Sequence, residues 1–384
     1  MSQSIVYRAD VVGSLLRPDY LKQGRQALET ADMTPEKFGA LQDRAADEAI
    51  ALQQDVGLPV VNDGEARRLT FIDQLFSAVD GIGPVETPWK SAWQSDAGES
   101  EFGVPLAVTG KIRRRGSFTA IEYGYAKERA KRPVKITLPS PLMMAYLYSP
   151  VETAAVYPDP FEMFADAVTV IREEIAELID LGCRYIQIDA PELAVIGTDE
   201  RWAQDFGRRS GLPVDRMLTE SAELLNAVVD GLGGASYGLH LCRGNNEGRW
   251  MASGGYDRLA REVLPRLSAF DRFLLEFDDE RSGGFESLAQ LPEDKVIVLG
   301  VVSTKRPELE VAGELVAKVE EAARFFPKEH LAVSTQCGFA SMFPGNPTIT
   351  PDIQRAKLEL VVALANEIWG ETETETSAVE VSST

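Results

Sequence analysis

Short apolar segments recur along this chain, and a longer helical pattern follows most of them. Eight such segments read as strands: Ala9–Gly13, Leu58–Asn62, Val134–Leu138, Arg184–Asp189, Ser236–Leu241, Arg272–Phe277, Lys295–Val301 and His330–Ser334. Amphipathic stretches lie between several of them, among them Pro160–Leu181, Pro213–Gly231 and Glu308–Phe326. Repeated strand–helix alternation requires parallel strands joined by crossover helices. Eight units predict an α/β fold of the (β/α)8 TIM-barrel type. The competing doubly wound sheet would carry a glycine-rich phosphate turn after its first strand, and no G-x-G-x-x-G stands there.

Two regions break the alternation. Residues Ala78 to Arg132 are too long for a simple connection, so they are expected to be an insertion after strand two. Within it, Val104–Arg115 and Ser117–Tyr125 alternate well enough to predict a hairpin over one barrel end. The tail Glu371–Thr384 is rich in Glu, Thr and Ser and lacks a core, which predicts disorder. Residues 1–370 are then one catalytic barrel. A chain of 384 residues with 44% hydrophobic and 26% charged content has ample core for that.

Charge narrows the partners. The net charge of −21 argues against nucleic acid and against anionic membrane surfaces. No apolar run reaches the length of a membrane span, and the first residues carry no signal-peptide core. Three cysteines without an export signal predict reduced thiols in the cytoplasm.

Barrel enzymes place their chemistry at the carboxyl ends of the strands. There this chain puts Val12-Gly13-Ser14, Glu65, Asp189, the pair His240-x-Cys242, Glu276 and Cys337. Positions i and i+2 of a strand face the same way, so His240 and Cys242 can converge on one ion. Only two histidines and three cysteines exist, and three of those five residues fall at one barrel end. Mixed nitrogen and sulfur donors point to zinc. Glu276 is the expected fourth ligand, with Asp278, Asp279 and Glu280 as rival oxygens. Cys183 and His330 lie at the opposite end and are expected to stay out of the site.

A thiol that joins such an ion loses its proton and becomes nucleophilic. A purely structural zinc would more often use close pairs such as C-x2-C, and this chain has none. Glu65 and Asp189 could hold an ammonium group. The Gly13-Ser14 turn could offer N–H groups to a carboxylate. Arg243 and Asn245, beside the ligands, are further substrate-binding candidates.

The ordered motifs resemble one family. They are Asp10-Val-Val-Gly-Ser-Leu-Leu-Arg-Pro18, Asp63-Gly-Glu-Ala-Arg-Arg68, Thr137-Leu-Pro-Ser-Pro141, Gln187-Ile-Asp-Ala-Pro191, His240-Leu-Cys-Arg-Gly-Asn245, Phe277-Asp-Asp-Glu-Arg-Ser-Gly283 and Gln336-Cys-Gly-Phe339. From about Arg8 to Trp369 the chain resembles the catalytic C-terminal half of cobalamin-independent methionine synthase, in its short single-barrel branch. The resemblance implies zinc on His240, Cys242, Glu276 and Cys337. It also implies homocysteine, with its amine on Glu65 and Asp189 and its carboxylate at Val12–Ser14. Ala66 and the run Ala190-Pro191-Glu192 depart from relatives, and no N-terminal barrel stands before this one, which leaves the methyl or alkyl donor open between a folate and a corrinoid. No Asp-x-His-x-x-Gly cobalamin motif is present.

Methyl transfer to homocysteine is therefore the expected activity. One rival is the related epoxyalkane:coenzyme M transferase chemistry, in which a sulfonate thiol opens an epoxide. It would need cations such as Arg8, Arg17, Arg67, Arg68 and Arg243 around the sulfonate. In that reading Glu65 and Asp189 become acid–base groups. A second rival is a non-catalytic protein that binds zinc or thiols.

Overall fold

The structure is a computed structural model that describes residues 6–86, 90–96, 98–343 and 345–370. The predicted tail at 371–384 lies outside the described residues. The chain starts with β1 (Ala9–Asp10), then carries β2 (Val79–Pro84), β3 (Ser91–Ser95), β4 (Gly98–Phe102) and β5 (Leu106–Arg114). It continues with β6 (Lys135–Pro139), β7 (Tyr185–Asp189), β8 (Ser236–Leu241), β9 (Arg272–Glu276), β10 (Val296–Val302) and β11 (Leu331–Thr335). Seven of these form one curled parallel sheet in the order β1-β11-β10-β9-β8-β7-β6. The fold is TIM-barrel-like.

Every position of β6, β7, β9, β10 and β11 is buried, because helices cover a parallel sheet outside while side chains fill it inside. The helix Pro160–Asp180 shows how the outer layer forms. Asp159 caps it by accepting from the Phe161 amide at 3.0 Å, and Pro160 sits in the first turn, where its missing N–H costs nothing. Its inner face buries Phe161, Phe164, Ile171, Ile175 and Leu178. No helix of the described residues is long and apolar enough to cross a membrane.

Register lines up the strand ends. Pro139 pairs with Asp189, and Asp189 with His240; on the far side Glu276 pairs with Gly300. The C-terminal residues of four strands therefore stand at neighbouring levels around one mouth.

Two expectations need correction. Strand two, expected at Leu58–Asn62, is reduced to a single parallel bridge between Val61 and Val134. The Gln53 side chain captures Asn62 instead, donating to its carbonyl at 2.7 Å and accepting from its amide at 3.0 Å. That local bracket occupies the groups a longer ladder would use. The hairpin expected from Val104–Arg115 and Ser117–Tyr125 does not form either. Leu106–Arg114 is a strand, but it pairs antiparallel with Val79–Pro84, while β3 pairs with β4. Ala120–Lys127 is a helix. Its start is organised by Glu174, whose Oε1 accepts from the amides of Phe118, Thr119 and Ala120 at 3.1, 2.6 and 2.7 Å. A buried carboxylate on the orphan donors of a helix start outweighs the alternation of the local sequence.

Candidate metal centre and substrate cavity

His240, Cys242 and Cys337 bring their ligand atoms within 4.8 Å of one another, and all three are buried. β8 carries His240, Cys242 follows the last residue of β8, and Cys337 follows the end of β11. The sulfurs are 3.8 Å apart, and neither cysteine is in a disulfide. Two thiolates on one tetrahedral zinc, with Zn–S near ~2.3 Å, would be about 3.8 Å apart. His240 Nδ1 lies 3.3 Å from the Leu274 carbonyl, which orients the ring. Its Nε2 has no hydrogen-bond partner although it is buried, so a donor atom is left over. The donor set thus fits a zinc-type ion on its chemistry, its sulfur spacing and its orphan nitrogen.

Protons in the cluster are shared unevenly. The Cys242 thiol, the His240 ring and Ser341 hold the Cys337 sulfur well below the ordinary thiol range, against the effect of burial. Cys242 is pushed up by its contact with Cys337 and by burial. Burial opposes a charged His240, but Cys337, Asp189 and Glu276 together raise its pKa.

Glu276 is fully buried at the end of β9 and does not join this three-residue group. Its Oε1 accepts from Lys305 Nζ at 2.7 Å and its Oε2 from the Arg243 amide at 2.6 Å. Burial alone would raise its pKa; Lys305 and then Arg243 overcome that and hold it down to about 2. Asp278 is buried beside it, Asp279 pairs with Arg281 and Arg306, and Glu280 begins a short helical turn.

A cavity of about 570 Å3 opens over the cluster. Val12, Gly13, Ser14, Glu65, Asp189 and Asn245 line it together with the three metal-site residues. Glu65 sits at φ +54°, a left-handed backbone that costs a non-glycine residue about 1–3 kcal/mol. Asp63 holds it there by accepting from the Glu65 amide at 2.9 Å, and Asn62 does the same for Gly64 at 2.7 Å. Thr137 donates to Glu65 Oε1 at 2.8 Å, whereas Oε2 has no partner. A Cβ at position 13 would come within 2.6 Å of Glu65 Oε1, so a larger residue there would force this carboxylate to shift. Gly338 is constrained likewise, since a Cβ there would meet Ser14 Oγ at 2.2 Å. Asp189 accepts from Gln187 at 2.7 Å, and burial pushes its pKa up to about 7.

Arg243 is held elsewhere. Its guanidinium donates to the carbonyls of Gly254, Ser282 and Glu276, stacks 4.2 Å over Tyr256, and does not line the cavity. Asn245 donates to Thr304 and to the Gly338 carbonyl, at 2.9 and 3.0 Å, tying two strand-end loops together. Cys183 and His330 lie away from the site: Cys183 is buried near Tyr185 at the start of β7, and His330 is half-buried with its ring against the Glu293 carbonyl.

Most of the rest of the cavity wall is apolar. Phe71 and Phe76 come from the segment before the insertion, Trp93 and Phe102 from the insertion, and Tyr146 and Met251 from later loops. Sequence reasoning did not single these out, since a lone aromatic in an irregular segment has no period to betray its direction. It also passed over Thr137, Gln187 and Lys305. The first two were legible, because Thr137 faces the same way as Lys135, and Gln187 the same way as Asp189. Lys305 follows strand seven which, like strand three, was given no role at its carboxyl end.

Comparison with known proteins agrees with this geometry. Residues 9–230 and 250–366 match the family described as cobalamin-independent synthase, catalytic domain. An uncharacterized protein of Bacillus subtilis, YxjH, is 33% identical over 94% of this chain and 95% of its own length. A methionine synthase of Saccharolobus solfataricus is 24% identical over 88% of this chain and 90% of its own. Among solved structures, a putative vitamin-B12 independent methionine synthase from Listeria monocytogenes superposes with a TM-score of 0.71 at 27% identity, covering 95% of this chain and 98% of that one. A B12-independent methionine synthase from Shewanella, solved with selenomethionine, shares the fold with a TM-score of 0.73 at 19% identity over the same shares. With its motifs in order and the match running through both halves of the barrel, this chain belongs to the cobalamin-independent synthase catalytic-domain family.

Proposed function

We propose that this protein is a zinc-dependent methyltransferase that alkylates the sulfur of homocysteine. The observation that carries the reading is the meeting, in one cavity, of a His–Cys–Cys donor set with the two buried carboxylates Glu65 and Asp189. His240, Cys242 and Cys337 would hold the metal, with Glu276 as the fourth donor. When bound there, zinc lowers the pKa of an incoming thiol and keeps it in the nucleophilic form.

The chain's own residues do the rest. Glu65 and Asp189, fixed by Thr137 and Gln187, accept hydrogen bonds from the substrate ammonium. That contact favours the ionised form of Asp189, which burial alone would leave half protonated near neutral pH. Val12, Gly13 and Ser14 stand where the substrate carboxylate can be received. The aromatic wall excludes water and orients the methyl donor over the sulfur. We read residues 1–370 as one catalytic unit, with the inserted strands supplying that wall. The relatives named as methionine synthases support methyl transfer.

The sulfonate-thiol alternative gains no support from the arginines it requires. Arg8 donates to the carbonyls of Glu329 and Leu331, and Arg17 to those of Leu15, Ala340, Glu65 and Arg68. Arg67 pairs with Asp43, Arg68 with Glu122, and Arg243 with carbonyls. None of the five lines the cavity; Arg25, which does, is paired with Glu29.

The test is calorimetry of the zinc-loaded protein in buffers of different ionisation enthalpy, comparing homocysteine with 2-sulfanylethanesulfonate. Homocysteine should bind more tightly and release a proton. A preference for the sulfonate would overturn the assignment, and thiol binding without turnover on any donor would leave only a binding protein.

A further inference from the structure

Glu276 poses a problem for the centre as read above. It is the oxygen donor expected to complete the set, yet a cation already holds it. Lys305 Nζ is 2.7 Å from Oε1, the Arg243 amide is 2.6 Å from Oε2, and Arg281 Nη2 stands 3.8 Å from Oε1. Neither Glu276 nor the Lys305 ammonium has meaningful access to water. While Lys305 stays in place, the metal centre has three protein donors.

Lys305 has a second partner within reach. Asp278 Oδ2 is 3.7 Å from Nζ, and the Asp278 side chain has no exposure. Neither of its oxygens has a hydrogen bond of good geometry, and Ser303 and Lys305 are the polar groups near enough to favour its charged form. A buried carboxylate with only a long ion pair and no close hydrogen bond is costly and uncommon. It makes an acceptor kept ready for a cation that now sits on its neighbour. Lysine suits that part, because its ammonium is a compact point charge on a flexible stem.

Charge balance explains what such a cation would do. A divalent metal with two thiolates and a neutral imidazole carries no net charge. Adding Glu276 leaves one negative charge in a dry site, and a lysine parked on Asp278 stays close enough to offset it.

We propose that Lys305 is a positioning residue that moves between two buried carboxylates, withholding Glu276 from the metal centre when paired with it and releasing Glu276 when paired with Asp278. The first arrangement leaves a coordination position open for a substrate thiol; the second closes the centre with a fourth protein donor. The inference rests on the reading of His240, Cys242 and Cys337 as a metal centre.

The test uses Co2+ as the probe on the full chain stripped of metal, in competition with a chelator. Thiolate-to-cobalt absorption reports the sulfur ligands, and the d–d bands report the fourth donor. K305M should bind Co2+ about tenfold more tightly, and D278N about tenfold more weakly, the lower end of what groups supporting metal ligands contribute. The D278N spectrum should match that of E276Q. Simple charge removal would also give opposite signs, so the double variant decides. In K305M, adding D278N should change affinity by less than about twofold, because no lysine remains to be parked. An equal D278N effect in both backgrounds would overturn the proposal, as would a D278N spectrum unchanged from the parent. If K305M fails to fold, as circular dichroism would show, the D278N and E276Q spectra still decide. A parent protein that binds neither Co2+ nor Zn2+ refutes the metal centre itself.

Discussion

Two buried polar clusters share the interior of this barrel and are built in opposite ways. The lower one joins Asp10, Lys135, Tyr185 and Gln187. Lys135 donates to Asp10 at 2.7 Å, to Gln187 at 2.9 Å and to the Val11 carbonyl, which uses all three of its protons. Asp10 also accepts from Tyr185 at 2.7 Å and from the Val11 amide at 2.7 Å. The upper cluster, at the carboxyl ends of the same strands, leaves His240 Nε2 and Glu65 Oε2 without partners. Gln187 links the two by donating to both the Val12 carbonyl and Asp189. A saturated network holds a barrel together, and an unsaturated one is ready to hold something else.

The comparison can be broken from either side. The largest effect should come from the unsaturated cluster: C242S or C337S should lose most of the zinc, measured as metal per chain after dialysis. Full retention in either variant would sink the donor set. The next largest should come from the saturated cluster. K135M strands the Asp10 carboxylate in the barrel and should cost about 3–5 kcal/mol in denaturant unfolding. It should leave zinc per chain unchanged; a loss of metal would mean that the two clusters are one.

Smaller changes sharpen the contrast. E65Q keeps the hydrogen bond from Thr137 but removes the charge, and should weaken homocysteine binding by about 1.5–3 kcal/mol without loss of zinc. An unchanged affinity would remove Glu65 from the amine site. E192Q should act mainly through pH. Burial pushes Glu192 up to about 8 from its ordinary 4.5, while Ser140 bonds the carboxyl. The folded state therefore holds this proton more tightly than the unfolded chain. The stability it confers is complete below about pH 4.5 and is lost as pH rises through about 8. E192Q should flatten that decline in pH-dependent melting, and a profile parallel to the parent would contradict the buried, neutral carboxyl.

Much of this was legible beforehand because parallel strands write themselves as short apolar runs. β8 has the bounds expected of it, β7 and β9 differ by a residue at one end, and β10 and β11 are shifted by one residue. Alternation along β8 put His240 and Cys242 on one face, and the strand-end rule put Cys337 beside them. Glu276 shows where that reasoning stopped. A carboxylate at a strand end reads the same whether it faces a metal or a lysine, and Lys305 is 29 residues away. Strand two shows another limit, since nothing in Leu58–Asn62 announces that Gln53 will claim its last backbone groups.

The sequence by itself determined the alternating architecture, the level at which the chemistry sits, and the family. These depend on local periodicity and on residue types whose direction the strand dictates. Only the tertiary structure decided the paths of the inserted strands, the helix that Glu174 starts, the apolar wall above the sulfurs, and the partner of each buried charge. Those outcomes depend on desolvated groups far apart in sequence finding one another at hydrogen-bond distance. A buried charge takes whatever partner the packed fold brings within reach, and no local pattern encodes which one that will be.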